Sequence, residues 1–196
     1  MLLQKILDHS ILLASQSPRR QMLLEGAGIP FRKLPPPNIE ERFPDDLPKE
    51  EIPVYLAKLK SRAYKLVPGQ ILITADTIVW LNGKVVNKPE NYGDAMEMLK
   101  SISGNIHEVI TGVCMRSAAR EETFFSLSTV YFNVLSEEEI AYYLNNYKPY
   151  DKAGAYGIQE WIGYVGVKKI DGSFYNVMGL PIELLYRKLE KFIDNE

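Results

Sequence analysis

Cysteine is almost absent from this 196-residue sequence, and histidine is scarce. Cys114 is the only cysteine, so no disulfide can form within the chain, as in proteins of a reducing compartment. The histidines, His9 and His107, are far apart, and neither lies in an H-E-x-x-H pattern. These absences exclude the common zinc sites, and any catalytic metal is expected to be a hard cation bound by carboxylates.

Long apolar runs and a strong charge of one sign are also lacking. No segment approaches the roughly 20 apolar residues of a membrane-spanning helix, and charges interrupt the N-terminal residues too early for a secretory signal. The formal net charge of -2 provides no basic stripe of the kind that nucleic-acid-binding proteins carry. We therefore expect a cytoplasmic protein that binds neither nucleic acid nor a membrane.

Three frequent enzyme motifs are missing as well. The sequence contains no G-x-x-x-x-G-K-[ST], no G-x-G-x-x-G that opens a helix and no G-x-S-x-G. P-loop enzymes, dinucleotide-binding proteins and hydrolases with a nucleophile elbow are thereby excluded.

Strand-like and helix-like segments alternate along the chain and predict a mixed α/β or α+β fold with a mixed sheet. Asn82-Gly83 is typical of a hairpin turn, and Ser136 with Glu139 forms a capping-box pattern. No polar linker interrupts residues 1–196, which predicts a single domain of one lobe or two. Helices are predicted from Pro18 to about 26–28, over 48–66 with an inward stripe ending at Ala63, over 92–99 and 136–145, and from Pro181. Strands are predicted over 11–14, 71–73, 78–81, 107–116, 123–135, 164–170 and 173–177.

An arginine pair, Arg19 and Arg20, follows Ser15 and Ser17-Pro18 where a predicted strand turns into a predicted helix. Arginine in the first turn of a helix opposes the helix dipole, while the free N–H groups there bind anions. Either this turn binds phosphate through its guanidinium groups or the arginines are simply solvated.

Asp76 is the one carboxylate in the apolar segment 71–80. A carboxylate in such surroundings needs a charged partner or a metal, unless it caps a strand end that reaches water. Glu41, Lys60 and Lys88 are each ordinary solvated charges when taken alone. Together with Asp76 they supply the carboxylates and cations that cleavage of a polyphosphate needs.

The segment 151–159 contains two glycines and two alanines, so little side-chain bulk keeps a ligand or another backbone away. The alternative is a tight connection between packed elements. Gln159 ends this segment with one amide donor and one acceptor, which match the imide edge of uracil or thymine. His107, in a predicted strand, is more typical of a buried polar side chain than of a catalytic group.

Several of these segments, in the same order, resemble the Maf family across nearly the whole chain. They are Ala14 to Arg20, Ala75-Asp76-Thr77, Lys88-Pro89, Ser103-Gly104 with His107, Leu135-Ser136 with Glu139-Ile140, Tyr150 to Gln159 and Gly179-Leu180-Pro181. The resemblance implies a bent mixed sheet flanked by helices, in two lobes around a deep cleft (a Maf or ITPase-like fold). It also implies frequent homodimers and an enzyme that hydrolyses nucleoside triphosphates to the monophosphate and pyrophosphate with a divalent cation, Mg²⁺ or Mn²⁺.

The resemblance also implies residue roles. Asp76 would be the catalytic carboxylate, Glu41 and Asp76 would bind the metal, and the phosphates would contact Ser15, Arg20, Lys60 and Lys88. The specificity positions are occupied by Arg19, Thr77 and Gln159, as in the dTTP/UTP branch. Two alternatives remain open at this point: a pyrophosphatase for modified nucleotides such as 7-methyl-GTP, and a non-catalytic, nucleotide-sensing regulator of cell division.

Overall fold

The computed structural model describes residues 1–195 and contains a seven-stranded mixed sheet with flanking helices, so the predicted fold class is confirmed. The strand order is β2-β1-β3-β5-β6-β7, and β4 pairs with β3. Within residues 1–195, no helix combines the length and apolar character that crossing a membrane requires. The strands are β1 (Ser10–Leu13), β2 (Arg32–Lys33), β3 (Gln70–Leu81), β4 (Lys84–Val86), β5 (Ile106–Arg116), β6 (Glu121–Phe132) and β7 (Val167–Asp171). The helices are α1 (Leu2–Lys5), α2 (Pro18–Gly26), α3 (Glu51–Arg62), α4 (Tyr92–Ile102), α5 (Glu137–Tyr147), α6 (Trp161–Gly166), α7 (Phe174–Val177) and α8 (Ile182–Asp194).

The chain divides into two compact units. The first unit comprises Met1–Asp76, Thr111–Ser126 and the segment from Gly179 onward, and the second comprises Thr77–Ile110 and Leu127–Met178. The prediction of a single domain with one lobe or two stays a prediction.

The first unit is built on parallel strands. β1 pairs in parallel with β2 and with β3, with Leu12 opposite Leu72 in the second pair. Both leucines are buried with Ala14, and Leu34, Tyr64 and Leu66 pack against them. The amphipathic helix α8 buries one face and packs against α1.

The second unit contains a hairpin turn and a helix cap that the sequence predicted. Asn82 and Gly83 both have positive φ, 51° and 79°, as a two-residue hairpin turn between β3 and β4 requires. Ser136 Oγ accepts a hydrogen bond from the backbone N–H of Glu139, and Glu139 Oε2 accepts one from the N–H of Ser136. This capping box starts α5, which packs against α4.

Four predictions about secondary structure are wrong. β3 is one continuous strand rather than two, because the hydroxyl of Thr74 donates to the buried carbonyl of Ala57 and removes the penalty of a polar residue in the strand. Part of the predicted strand 164–170 is helix α6, and the predicted strand 173–177 is helix α7, whose first turn is capped by Ser173 Oγ accepting from the N–H of Asn176. Helix α3 is shorter than predicted, and Ala63 of the predicted inward stripe is exposed at its end.

Candidate active site

Helix α3 and strand β3 are in a register that brings Asp76 against Lys60. Thr74 donates its hydroxyl to the carbonyl of Ala57 at 2.7 Å. Asp76 follows Thr74 by two residues and lies on the same face of β3, while Lys60 lies about one helical turn after Ala57 on α3. Lys60 Nζ accordingly lies 2.5 Å from Asp76 Oδ1. The middle of a long strand therefore carries the carboxylate, rather than a strand end.

Lys60 bridges two carboxylates. Its Nζ lies 2.7 Å from Glu41 Oε2 in addition to its contact with Asp76. The Asp76 side chain is 14% exposed and that of Glu41 is 50% exposed, so this cluster is open to solvent on the Glu41 side. The contact between Lys60 and Asp76 is made through the carboxylate oxygen Oδ1.

Arg20 lies beside this cluster and is held by backbone carbonyls. Its Nη1 donates to the carbonyl of Ala75 at 2.7 Å, and its Nε donates to the carbonyl of Gly179 at 2.8 Å. Burial lowers the pKa of the Arg20 guanidinium, while the neighbouring carboxylates of Asp76 and Glu41 act in the opposite direction.

Ser15 organises the turn from which Arg20 projects. The Ser15 side chain is buried, and its Oγ accepts from the N–H of Ser17 at 3.2 Å and from Arg20 Nη1 at 3.4 Å. Ser17 takes the predicted N-cap position before Pro18, but its own side chain makes no capping hydrogen bond. The start of α2 thus has backbone N–H groups that its cap residue leaves available to an anion.

Gly179 holds its carbonyl against Arg20 through a backbone conformation that other residues rarely adopt. Its φ is 114°, in the region that favours glycine because a Cβ would clash with the backbone. The motif Gly179-Leu180-Pro181 therefore has a physical role at the site, which is to fix the direction of the guanidinium.

Arg116 is a residue that the sequence analysis missed. Its Nη2 donates to the carbonyls of Ser61 and Tyr64, each at 2.6 Å, and its Nε donates to Ser61 Oγ at 2.9 Å. A cation at the C-terminal end of a helix is favourable and satisfies carbonyls that have no partner in the helix. Arg116 thereby fixes the last turn of α3, which carries Lys60. No local sequence pattern indicates that Arg116 contacts these residues, which lie far from it in the sequence.

The remaining specificity and phosphate candidates belong to the second unit, except Arg19, which lies half-buried in the first turn of α2. Thr77 follows Asp76 directly and is half-buried in β3. Lys88 is exposed just after β4. Gln159 is half-buried, and its Oε1 is fully buried without a hydrogen-bond partner among residues 1–195.

His107 is buried and positions another aromatic residue. Its Nε2 lies 2.7 Å from the hydroxyl oxygen of Tyr156, and only 1% of its surface is exposed. Burial lowers the pKa of His107 to about 4, so the ring is neutral at physiological pH. This geometry agrees with the structural interpretation of His107.

The residues of the first unit fit a hard divalent cation. Two carboxylates, Asp76 and Glu41, converge on one positive charge, which the ammonium of Lys60 supplies here. Residues 1–195 contain no group of three or more His, Cys, Asp or Glu side chains that could enclose a metal. Mg²⁺ is commonly bound by one or two carboxylates, with water and substrate phosphates completing the octahedron. The donor set therefore suits a cation that arrives with its substrate.

Known proteins are similar in sequence to this chain along nearly its whole length. A dTTP/UTP pyrophosphatase of Bacteroides thetaiotaomicron is 54% identical over 185 residues, which cover 93% of this chain and 96% of the relative. A dTTP/UTP pyrophosphatase of Phocaeicola vulgatus is 51% identical over 192 residues, which cover 97% of this chain and 100% of the relative. A solved nucleoside-triphosphatase / dITP/XTP pyrophosphatase of Mycobacterium abscessus covers 93% of this chain and 98% of its own at 13% identity, with a TM-score of 0.41 that is too low to support a conclusion.

The family model described as Maf-like protein matches residues 10–192. That range includes the arginine turn, Asp76 and the segment that ends at Gln159, on which the resemblance was based. The prediction from the sequence is confirmed, and the chain belongs to the Maf family.

Proposed function

We propose that this chain hydrolyses dTTP and UTP to the nucleoside monophosphate and pyrophosphate. Its relatives at 54% and 51% identity bear the name dTTP/UTP pyrophosphatase. The observation that carries the proposal is the cluster in which Lys60 joins Asp76 to Glu41 beside the Arg20 guanidinium. It combines a proton acceptor, cations for phosphate and a carboxylate pair for a metal in one part of the first unit.

Asp76 acts as the general base of the reaction. Water attacks the α-phosphorus, its proton passes to the Asp76 carboxylate, and the bond between the α-phosphorus and the bridging oxygen breaks. Pyrophosphate leaves with the electrons of that bond, and the monophosphate retains the oxygen of the water. The Asp76 carboxylate is the proton acceptor that this step needs, and Lys60 contacts it at Oδ1 before the substrate binds.

Arg20, Lys60 and Ser15 stabilise the negative charge of the phosphates. The guanidinium of Arg20 is held by two backbone carbonyls, so it is oriented before the substrate arrives. Such preorganised donors lower the barrier because little reorganisation remains when charge develops. Lys88 is assigned as a further phosphate-binding cation.

A divalent cation, Mg²⁺ or Mn²⁺, would be held by Asp76 and Glu41. When bound, it neutralises phosphate charge and polarises the reacting phosphoryl group. With the cation bound there, the ammonium of Lys60 would be released from the carboxylates and could contact the phosphate oxygens.

Base selection is assigned to Arg19, Thr77 and Gln159. The Gln159 Oε1 atom is buried and without a partner among residues 1–195, so a donor on the ligand would satisfy it. The imide N3–H of thymine or uracil is such a donor, whereas N3 of cytosine carries no hydrogen.

Pyrophosphate release measured over dTTP, UTP, dCTP, GTP and 7-methyl-GTP, with and without Mg²⁺ or Mn²⁺, tests this function. We expect the highest kcat/KM for dTTP and UTP, and a loss of about 10²–10⁴-fold in kcat for Asp76→Asn. Asp45→Asn is the matched control, since Asp45 is an exposed carboxylate with no partner among residues 1–195. Preference for 7-methyl-GTP would favour the modified-nucleotide alternative, and binding without turnover would favour the regulator.

The cytoplasmic location and the homodimer stay predictions. Sedimentation of the purified chain and fractionation of cells that contain it measure them directly.

A further inference from the structure

A buried charged cluster lies next to Gln159 in the second unit. Lys152 is 8% exposed, and its Nζ lies 3.1 Å from Glu160 Oε1 and 2.7 Å from Asp151 Oδ1. The hydroxyl of Tyr143, which is fully buried on α5, donates to Glu160 Oε2. Both oxygens of the Glu160 carboxylate are therefore used, one by a cation and one by a phenol. A buried charge in such a network costs little only while all its partners are present.

The cluster hydrogen-bonds to the backbone just before Gln159 and packs against it. The N–H of Gly157 donates to the hydroxyl oxygen of Tyr143 at 3.0 Å, and the N–H of Glu160 donates to the carbonyl of Gly157 at 3.0 Å. A Cβ at position 157 would lie 2.8 Å from the carboxylate carbon of Glu160 and 3.0 Å from Cε of Lys152. The backbone therefore packs directly on the charged groups, with no room for a side chain between them.

Gln159 lies within this closed turn, between Gly157 and Glu160. The turn leaves the Gln159 Oε1 atom buried with no hydrogen-bond partner among residues 1–195. An acceptor that is buried and unsatisfied costs about 1–3 kcal/mol, so the fold must hold it there against that cost. Burial, followed by the adjacent Glu160, raises the pKa of Tyr143, so its hydroxyl remains a donor at any physiological pH.

We propose that Glu160, Tyr143 and Lys152 are positioning residues that fix the amide of Gln159 for discrimination between nucleotide bases. This inference rests on the proposed function, because it assigns to Gln159 the recognition of the imide edge. The cluster itself does not contact the substrate, and its effect on hydrolysis passes through the orientation of one amide. Loss of the cluster should therefore reduce the preference for thymine and uracil and leave cleavage of the phosphate chain unchanged.

The experiment measures kcat and KM of the full chain on three substrates that differ in the base. dTTP carries the N3–H donor, dCTP lacks it, and inorganic tripolyphosphate has no base. The variants are Glu160→Gln, Tyr143→Phe and Gln159→Ala, with the double variant Glu160→Gln/Gln159→Ala. Glu138→Gln is the matched control, because Glu138 is an exposed carboxylate on α5.

We expect Glu160→Gln and Tyr143→Phe to lower kcat/KM for dTTP by about tenfold, mainly through KM, and to change dCTP and tripolyphosphate by less than about twofold. In the Gln159→Ala background, Glu160→Gln should have no further effect on the ratio of dTTP to dCTP, because the two residues act in series. Tyr143→Phe provides a second, nearly isosteric test if Glu160→Gln fails to fold.

Other outcomes overturn the inference in distinguishable ways. An equal loss on all three substrates would assign the cluster to general stability. Additive losses in the double variant would mean that it acts independently of Gln159. An unchanged ratio of dTTP to dCTP in Gln159→Ala would remove Gln159 from base selection while leaving the pyrophosphatase activity intact. Only a wild-type chain that hydrolyses neither dTTP nor UTP would refute the proposed function itself.

Discussion

Replacement of Lys60 by methionine should strengthen metal binding while it weakens hydrolysis. The ammonium of Lys60 lies 2.5 Å from Asp76 Oδ1 and 2.7 Å from Glu41 Oε2, so it competes with any cation for these oxygens. Methionine has a similar length and no charge, and it leaves the two carboxylates without a counter-ion. In the proposed mechanism the same change removes a cation that stabilises the phosphates, so the effects on metal binding and on hydrolysis have opposite sign.

The size of the expected gain in affinity for a divalent cation follows from Coulomb's law. A divalent cation about 4 Å from an ammonium is repelled by about 2 kcal/mol even at the dielectric constant of water, and by more at a partly buried site. Since a tenfold change in affinity corresponds to about 1.4 kcal/mol, Lys60→Met should bind Mn²⁺ at least about tenfold more tightly. The half-exposed Glu41 keeps the gain near this lower value through solvent screening.

Titration of the nucleotide-free protein with Mn²⁺, followed by electron paramagnetic resonance or calorimetry, measures the affinity without any turnover. Lys65→Met is the control, because Lys65 is an exposed lysine close in sequence with no ion pair among residues 1–195. Weaker or unchanged Mn²⁺ binding in Lys60→Met, with the control equal to wild type, would refute the assignment of Asp76 and Glu41 as metal ligands.

Three further perturbations test other parts of the structure. Arg20→Lys keeps the charge but cannot donate to the carbonyls of both Ala75 and Gly179, so kcat/KM for dTTP should fall by about tenfold or more. Arg116→Met should lower the free energy of unfolding by about 1–3 kcal/mol in urea denaturation, because the carbonyls of Ser61 and Tyr64 lose a charged donor, whereas Arg62→Met on the exposed surface should have almost no effect. Burial lowers the pKa of His107 from 6.5 to about 4. As the pH falls, the unfolded chain therefore binds a proton at this ring at a higher pH than the folded chain does. The free energy of unfolding should therefore have its full value above pH 6.5 and fall by up to about 3 kcal/mol as the pH drops towards 4. This dependence on pH should disappear in His107→Gln.

Features determined by neighbouring residues could be predicted from the sequence. The positive φ angles of Asn82 and Gly83 and the capping box of Ser136 with Glu139 depend on contacts within four residues, and both are confirmed. The resemblance to a family located Asp76 and Arg20, and the structure brings these two close together through the carbonyl of Ala75.

Features that depend on tertiary register could not be predicted. The continuity of β3 depends on the hydroxyl of Thr74 reaching a carbonyl of α3, which no local pattern reveals. The partner of Arg116 lies 55 residues away in sequence, so its role at the end of α3 has no local signature. The end of helix α6 was mistaken for the start of a strand because Tyr164 and Val165 favour strands on propensity alone.

The hydrogen bond from Arg20 to the carbonyl of Gly179 spans 159 residues of chain. During synthesis the arginine turn leaves the ribosome well before the carbonyl that fixes it. At the usual elongation rate of about 5–20 residues per second, the 159 residues between them take about 8–30 seconds to add. A nascent chain therefore carries Arg20 for that interval without the carbonyl that orients its guanidinium.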